Sequence, residues 1–191
     1  MFSQVGGDIE VREAGEGDAP AIAEAHVRAW QVAYYSMVPD RILDGLSIEG
    51  AVRNWERLVS ERGSVTLVAG RGGAVEGFCS VSTPSRDRDA TEHTAEVAAI
   101  YVHPESWRTG VGRALLEAAL GNLREEGWGE VTLWVFGAND QARGFYAAHG
   151  FEPDGAERQN ETVGQPEVRL RAALRPPPSR APADPPPGAT G

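Results

Sequence analysis

The 191-residue chain contains one cysteine, Cys79, and no lysine; all eighteen of its basic residues are arginines. A single thiol excludes an internal disulfide framework and any zinc site built from several cysteines. No apolar run approaches the roughly 18 residues needed to cross a bilayer. The segment Met1-Phe2-Ser3-Gln4-Val5-Gly6-Gly7-Asp8 has neither a basic start nor an apolar core, so no secretory signal is expected there. The four histidines form no pattern that reads as a catalytic dyad, and no metal is expected. Positive charge is also short: 18 basic against 28 acidic residues leave a formal charge of −10. That balance argues against nucleic acid or an anionic membrane as the main partner, and is compatible with a cationic small substrate. The expectation is a cytoplasmic protein with one domain, residues 1–174, large enough for a real core.

Glycine and branched apolar residues, by contrast, are abundant, and they punctuate the chain clearly. Ile9-Glu10-Val11-Arg12-Glu13-Ala14 alternates as a first strand. Asp18 is placed as the cap of a helix with Pro20 in its first turn, running through Ile22, Ala25, Val27 and Trp30. After a break at Pro39-Asp40, Ile42, Leu43, Leu46, Val52, Trp55 and Leu58 continue in helix. Val65 to Ala69 and Val75 to Val81 flank Arg71-Gly72-Gly73 as a hairpin. Thr94 to Val102 is a fourth strand and Val131 to Phe136 a fifth. A short helix runs from Asn139 to Gly150, and two strands follow. Seven of the thirteen prolines lie beyond residue 174. With no apolar periodicity left to bury, residues 175–191 are expected to form a disordered tail.

One stretch organises the rest. The apolar run Val97 to Val102 leads into Trp107-Arg108-Thr109-Gly110-Val111-Gly112, and a helix leads out with Val111, Leu115, Leu116, Ala119, Leu120 and Leu123 at helical spacing. A glycine turn at a helix start collects unpaired amides and the positive end of the helix dipole, which suits a phosphate. The turn lacks the Lys-Ser/Thr of a nucleotide P-loop. Leu115 stands where a dinucleotide fingerprint needs its third glycine.

The turn resembles the pyrophosphate loop of the GNAT superfamily of N-acetyltransferases, whose pattern is Gln/Arg-x-x-Gly-x-Gly/Ala; Trp107 departs from its first position. Asn139-Asp140-Gln141-Ala142-Arg143-Gly144-Phe145-Tyr146-Ala147-Ala148-His149-Gly150-Phe151 resembles that family's Asn-x-x-Ala-x-x-Phe-Tyr-x-x-x-Gly-Phe segment position for position. The resemblance covers Ile9 to Leu174. It implies an α/β (α+β) fold with a mixed, mostly antiparallel sheet of six to seven strands. About four helices flank that sheet, and strands four and five splay apart.

It also implies acetyl-coenzyme A as cosubstrate and a primary amine of a small molecule as acceptor: a polyamine, an amino-sugar antibiotic or an amino-acid-like amine. The cofactor would lie along the backbone of Ile100, Tyr101 and Val102. Its phosphates would meet Arg108, Thr109, Gly110, Val111, Gly112 and Arg113. Tyr146 would be the general acid that protonates the departing thiolate, a role worth roughly 10²–10⁴-fold. Asn139 would touch the pantetheine arm or brace the adjoining strand, and can cap its helix at the same time. Glu96, or a water beside it, would accept the amine proton. Trp30, Tyr34, Tyr35 and Trp134 would wall the acceptor pocket, where aromatic faces can hold an ammonium group. A homodimer is compatible with the family. A non-catalytic acyl-coenzyme A binder and an acetyltransferase acting on protein or peptide amines stay open as alternatives.

Overall fold

Seven strands, rich in Val, Leu and Ala where they are buried, form one sheet in the order β1-β2-β3-β4-β5-β7-β6. The computed structural model describes residues 8–174, so the expected tail at 175–191 lies outside the described residues. In chain order the elements are β1 (Glu10–Glu13), α1 (Ala19–Ala33), α2 (Asp40–Asp44), α3 (Ile48–Leu58), β2 (Ser64–Arg71) and β3 (Ala74–Ser82). They continue with β4 (Thr94–Val102), α4 (Val111–Glu125), β5 (Glu130–Phe136), α5 (Asp140–Ala147), β6 (Glu152–Gln159) and β7 (Pro166–Ala173). All neighbours run antiparallel except β4 and β5. The expected mixed sheet is present, with five α-helices among the described residues where about four were expected.

The parallel pair is short. Thr94, Ala95 and Glu96 pair with Glu130, Val131 and Thr132, and there the ladder ends. An extra residue sits on β4 just beyond: Val81 pairs with Val97 and Ser80 with Ala99, so Ala98 is bulged. A bulge bends its strand and steepens its twist. β5 meanwhile stays paired with β7 from Glu130 to Phe136. Each of the two strands thus keeps its outer partner and leaves an inner edge open.

Alternation along the strands separates two cores, as the two-residue period of a strand requires. Leu67, Cys79, Ala95, Val97, Val131 and Leu133 face α4, whose Val111, Leu115, Leu116, Ala119, Leu120 and Leu123 are all buried. Val68 and Phe78, one register position away, face Ile22, Ala23 and Ala25 of α1 and Trp55 of α3. A third cluster joins Val38, Leu43, Phe136 and Val163 with Trp30 and Tyr34, tying the end of α1 to the far end of β5.

Two local readings are corrected. Asp18 precedes α1, but its side chain makes no cap bond. Its carboxylate is taken by Arg12, at 2.7 Å on both oxygens, and by the Gly15 amide at 2.8 Å. The helical stretch after Pro39 is two helices, broken at Gly45 and restarted by Ser47, whose hydroxyl accepts from Gly50 N–H.

His26 on α1 is enclosed by aromatic rings. Its Nδ1 accepts from the Trp55 indole at 3.2 Å, and its ring stacks on Tyr101 at 4.9 Å. Burial lowers its pKa from 6.5 to about 4. Between those two values the unfolded chain binds a proton that the folded chain refuses, so stability falls as pH drops through the window. The full contribution is about 3 kcal/mol, from 1.36 kcal/mol per pKa unit. Asp18, Glu130 and Asp154 have lowered pKa values and lose their stabilising charge only further into acid. Urea unfolding of the native chain should therefore weaken between pH 6.5 and 4.5 more steeply than that of His26→Gln. Parallel curves for the two proteins would remove His26 as the source.

Candidate functional site

Where β4 and β5 part, a cleft of about 1230 Å³ opens between them and runs from α1 to the start of α4. The glycine turn forms one end. Arg108 (φ 62°) and Gly110 (φ 98°) both adopt left-handed backbone, and Arg108 is the one non-glycine to do so among the described residues. Such a conformation costs on the order of 1–3 kcal/mol and persists only where neighbours hold it. Here they do. Arg71 donates to the Thr109 carbonyl at 3.0 Å while its other Nη meets Glu76 at 2.8 Å. The Thr109 hydroxyl donates to the Ser106 carbonyl at 2.8 Å, and the Trp107 indole to the Val102 carbonyl at 2.7 Å. The carbonyls are drawn away and the amides are left: N–H groups of residues 108–113 have no acceptor among the described residues. A run of unpaired amides in a left-handed turn is an anion cradle.

α5 forms the second wall. Asn139 is buried and caps the helix, its Oδ1 accepting from Ala142 N–H at 3.0 Å. Two turns later Tyr146 lines the cleft at 9% exposure, packed edge-on against Phe145 and Phe151. Its hydroxyl has no hydrogen-bond partner among the described residues. Burial, then the Tyr34 phenol, pushes its pKa well above the ordinary 10. Tyr34 and Tyr101 approach one another at 3.5 Å between their hydroxyls, and burial raises both of those as well.

At the other end Glu96 accepts the Arg86 backbone N–H on Oε2 at 3.1 Å. Next to Arg86, Asp87 accepts from the Trp134 indole at 2.9 Å. The Arg158 guanidinium lies over the Trp134 ring at 4.2 Å and donates through Nε to Glu167 at 2.6 Å; Asn160 donates to the other Glu167 oxygen at 3.0 Å. Arg169, 5% exposed, joins the Asp87–Asp89 loop to β6 by reaching Asp87, Asp89 and Asp154. That contact holds the Asp89 carboxyl down at about 2.

Most of the residues expected from the sequence meet in this cleft: Trp30, Tyr34, Glu96, Ile100, Tyr101, Val102, Arg108, Thr109, Gly110, Gly112, Arg113, Trp134, Asn139 and Tyr146. Two do not line it. The Val111 side chain, at the first position of α4, is fully buried in the core between that helix and the sheet, leaving its amide alone for the turn. Tyr35 is 73% exposed and outside the cleft, because α1 ends at Ala33 and the turn after it carries that ring outward. Trp134 is in place, yet its ring already holds Arg158, with Arg169 at 5.6 Å. His26, Arg86, Arg158, Asn160 and Glu167 also line the cleft and were not singled out. The available signal was weak: oppositely charged residues on two strands that the sequence left unpaired.

A profile described as the acetyltransferase (GNAT) family matches residues 23–151. YuaI of Bacillus subtilis (strain 168), named an uncharacterized N-acetyltransferase, is 29% identical over 174 residues, covering 87% of this chain and 98% of that protein. Among solved structures, the PaiA N-acetyltransferase of Thermoplasma acidophilum in complex with coenzyme A matches with a TM-score of 0.69 at 19% identity. It covers 87% of this chain and 99% of its own. A ribosomal-protein-alanine N-acetyltransferase from Brucella melitensis matches at 0.67 and 22%, covering 86% and 99%.

The acidic ring around Arg169 yields a direct expectation. Removing one partner of a buried charge cluster strands the others, at roughly 3–5 kcal/mol. Arg169→Met should lower unfolding stability by about 3 kcal/mol in urea. A loss under 1 kcal/mol would mean that the aspartates are solvated without it.

Proposed function

The chain belongs to the acetyltransferase (GNAT) family, and from that premise we propose that it carries an acetyl group from acetyl-coenzyme A to a primary amine of a small molecule, with Tyr146 as general acid. The observation that carries the reading is the Tyr146 hydroxyl: open to the cleft, protonated, without a partner among the described residues, and in the same cleft as the amide cradle and Glu96. An unengaged phenol favours a catalyst over a passive acyl-coenzyme A binder.

The residues present fit the cofactor. Six amides at 108–113 that have no acceptor among the described residues, with Arg108 and Arg113 beside them, suit a pyrophosphate. The open inner edges of β4 and β5 suit an extended amide-bearing arm, which would pair as an added strand. Bound there, the thioester supplies an activated acetyl group and a thiolate leaving group.

The chain's own part is proton handling and placement. An alkyl amine with a pKa near that of lysine, ~10.4, arrives charged at neutral pH and must lose a proton before attack. Glu96 would accept it, directly or through water; the reading is supported by its Oε1, which has no partner among the described residues. As the amine nitrogen bonds to the acetyl carbon and the carbon–sulfur bond breaks, Tyr146 gives its proton to sulfur. A free thiolate is a weaker base than this phenolate. A sulfur lodged in the same dry wall is raised by the same desolvation, which brings the two closer together. Backbone N–H groups on the open β4 edge are available to the carbonyl oxygen as negative charge develops on it.

Two expectations test this reading. Tyr146→Phe keeps the ring and its packing, so kcat in a thiol-release assay should fall by roughly 10²–10⁴-fold while coenzyme A affinity holds. Undiminished turnover would remove Tyr146 as the acid. A side chain at Gly112 would meet Val102 at 3.5 Å and Phe145 at 3.8 Å, ordinary contacts that leave the fold intact. Gly112→Asp therefore places a negative charge inside the amide cradle at small structural cost. Coenzyme A binding by calorimetry should weaken at least about tenfold, 1.4 kcal/mol. An unaltered affinity would sink the phosphate assignment.

A further inference from the structure

We infer that the acceptor amine also bears a carboxylate, as a free amino acid does, and that Arg86 and Arg158 bind that carboxylate while Glu96 faces the amine. The inference rests on the acetyltransferase reading and narrows its acceptor.

Charge on the acceptor side of the cleft carries it. The three residues are linked by short steps: Glu96 to the Arg86 amide at 3.1 Å, the adjoining Asp87 to the Trp134 indole at 2.9 Å, and Trp134 to Arg158 at 4.2 Å. The Arg86 guanidinium has no partner among the described residues. Arg158 uses only Nε on Glu167, so both Nη groups are free among those residues. Stacking on Trp134 fixes the plane of that fork and presents its outer edge. Planar arginine forks bind carboxylates through two parallel bonds, which a point charge cannot imitate. Glu167 is buried and already engaged on both oxygens by Arg158 and Asn160. Of the other carboxylates in the lining, Asp140 at the start of α5 faces Arg143 at 3.6 Å, so beside the two arginine forks it is Glu96 that offers an unengaged oxygen.

A zwitterion complements that pattern. A polyamine would set its distal ammonium groups beside Arg86 and Arg158, and like charges brought together in a cleft are unfavourable. The aromatic wall expected to receive such ammonium groups has lost Trp134 to Arg158. At this end the two arginines formally balance the carboxylates Glu96 and Glu167, so it is the open guanidinium edges rather than a net positive charge that favour a carboxylate.

The test compares acceptors that differ only in the carboxylate: L-leucine, L-methionine and L-phenylalanine, each beside its own amide, with spermidine in the same thiol-release assay. Converting the acid to its amide makes the amine easier to deprotonate, so intrinsic reactivity favours the amide. A preference for the acid therefore reports recognition. The expected result is kcat/KM at least about tenfold higher for an acid than for its amide, the size of a charge-assisted contact pair. In Arg86→Gln, an exposed loop position, that ratio should fall toward one. Arg158→Gln should do the same, read beside Arg86→Gln because it also disturbs Glu167. Turnover of the amides or spermidine at equal or higher kcat/KM would overturn the inference and leave the acetyltransferase reading standing. No thiol release with any amine, from protein that binds coenzyme A, would overturn both.

Discussion

Hydrogen bonding between β4 and β5 lasts for three residues, and nearly every feature of the cleft depends on where it stops. A parallel pair that continued would satisfy its own edges and close the sheet. Here the Ala98 bulge turns β4 aside while β7 holds β5 in place. Two rows of backbone donors and acceptors then face one another across a gap that no strand among the described residues fills. Side chains plug only its margins: Tyr101, Tyr34, Trp30 and Phe136 from one face, Tyr146 from the other. The sheet is stable despite the gap because its two faces are covered by separate cores, so neither α4 nor the α1–α3 pair relies on the missing ladder.

Burial does chemical as well as structural work along that gap. The rings that exclude water raise Tyr34, Tyr101 and Tyr146 and lower His26, so at neutral pH all four side chains are uncharged. Cys79, pushed up to about 12 by complete burial, joins them as an inert thiol. Charge in the lining lies at the glycine turn, around Glu96, Arg86, Arg158 and Glu167, and at Asp140 where α5 begins. The uncharged rings lie between these groups.

Legibility in the sequence followed locality. The glycine turn and the Asn139-to-Tyr146 helix are contiguous segments whose geometry is set by neighbours in the chain, so all of their singled-out residues except Val111 line one cleft. The acceptor end is assembled from the loop after β3, β5, β6 and β7. Arg158 and Glu167 sit opposite one another across strands with no short-range signature, and β6 is nearly all exposed, so it has no alternation to reveal its pairing. Adjacent residues at a helix end fared unequally. Tyr34 caps α1 and turns inward, whereas Tyr35 lies beyond the last helical residue, where helical phase no longer applies. Asp18 failed as a cap for a related reason: Arg12, on the neighbouring strand, outcompeted the helix amides for its carboxylate.

Arg71 gives the turn a property that its glycines alone would not. It anchors the Thr109 carbonyl to Glu76 on β3, while Trp107 straps the turn back onto the end of β4. Both ties are made by the protein alone. The left-handed backbone at Arg108 and Gly110 is thus prepared in advance, and a ligand meeting it has little ordering entropy left to supply. Departure should be correspondingly simple, since no latch has to reopen. In a transferase that must release a spent carrier after every cycle, a rigid seat favours exchange of one carrier for the next over prolonged retention.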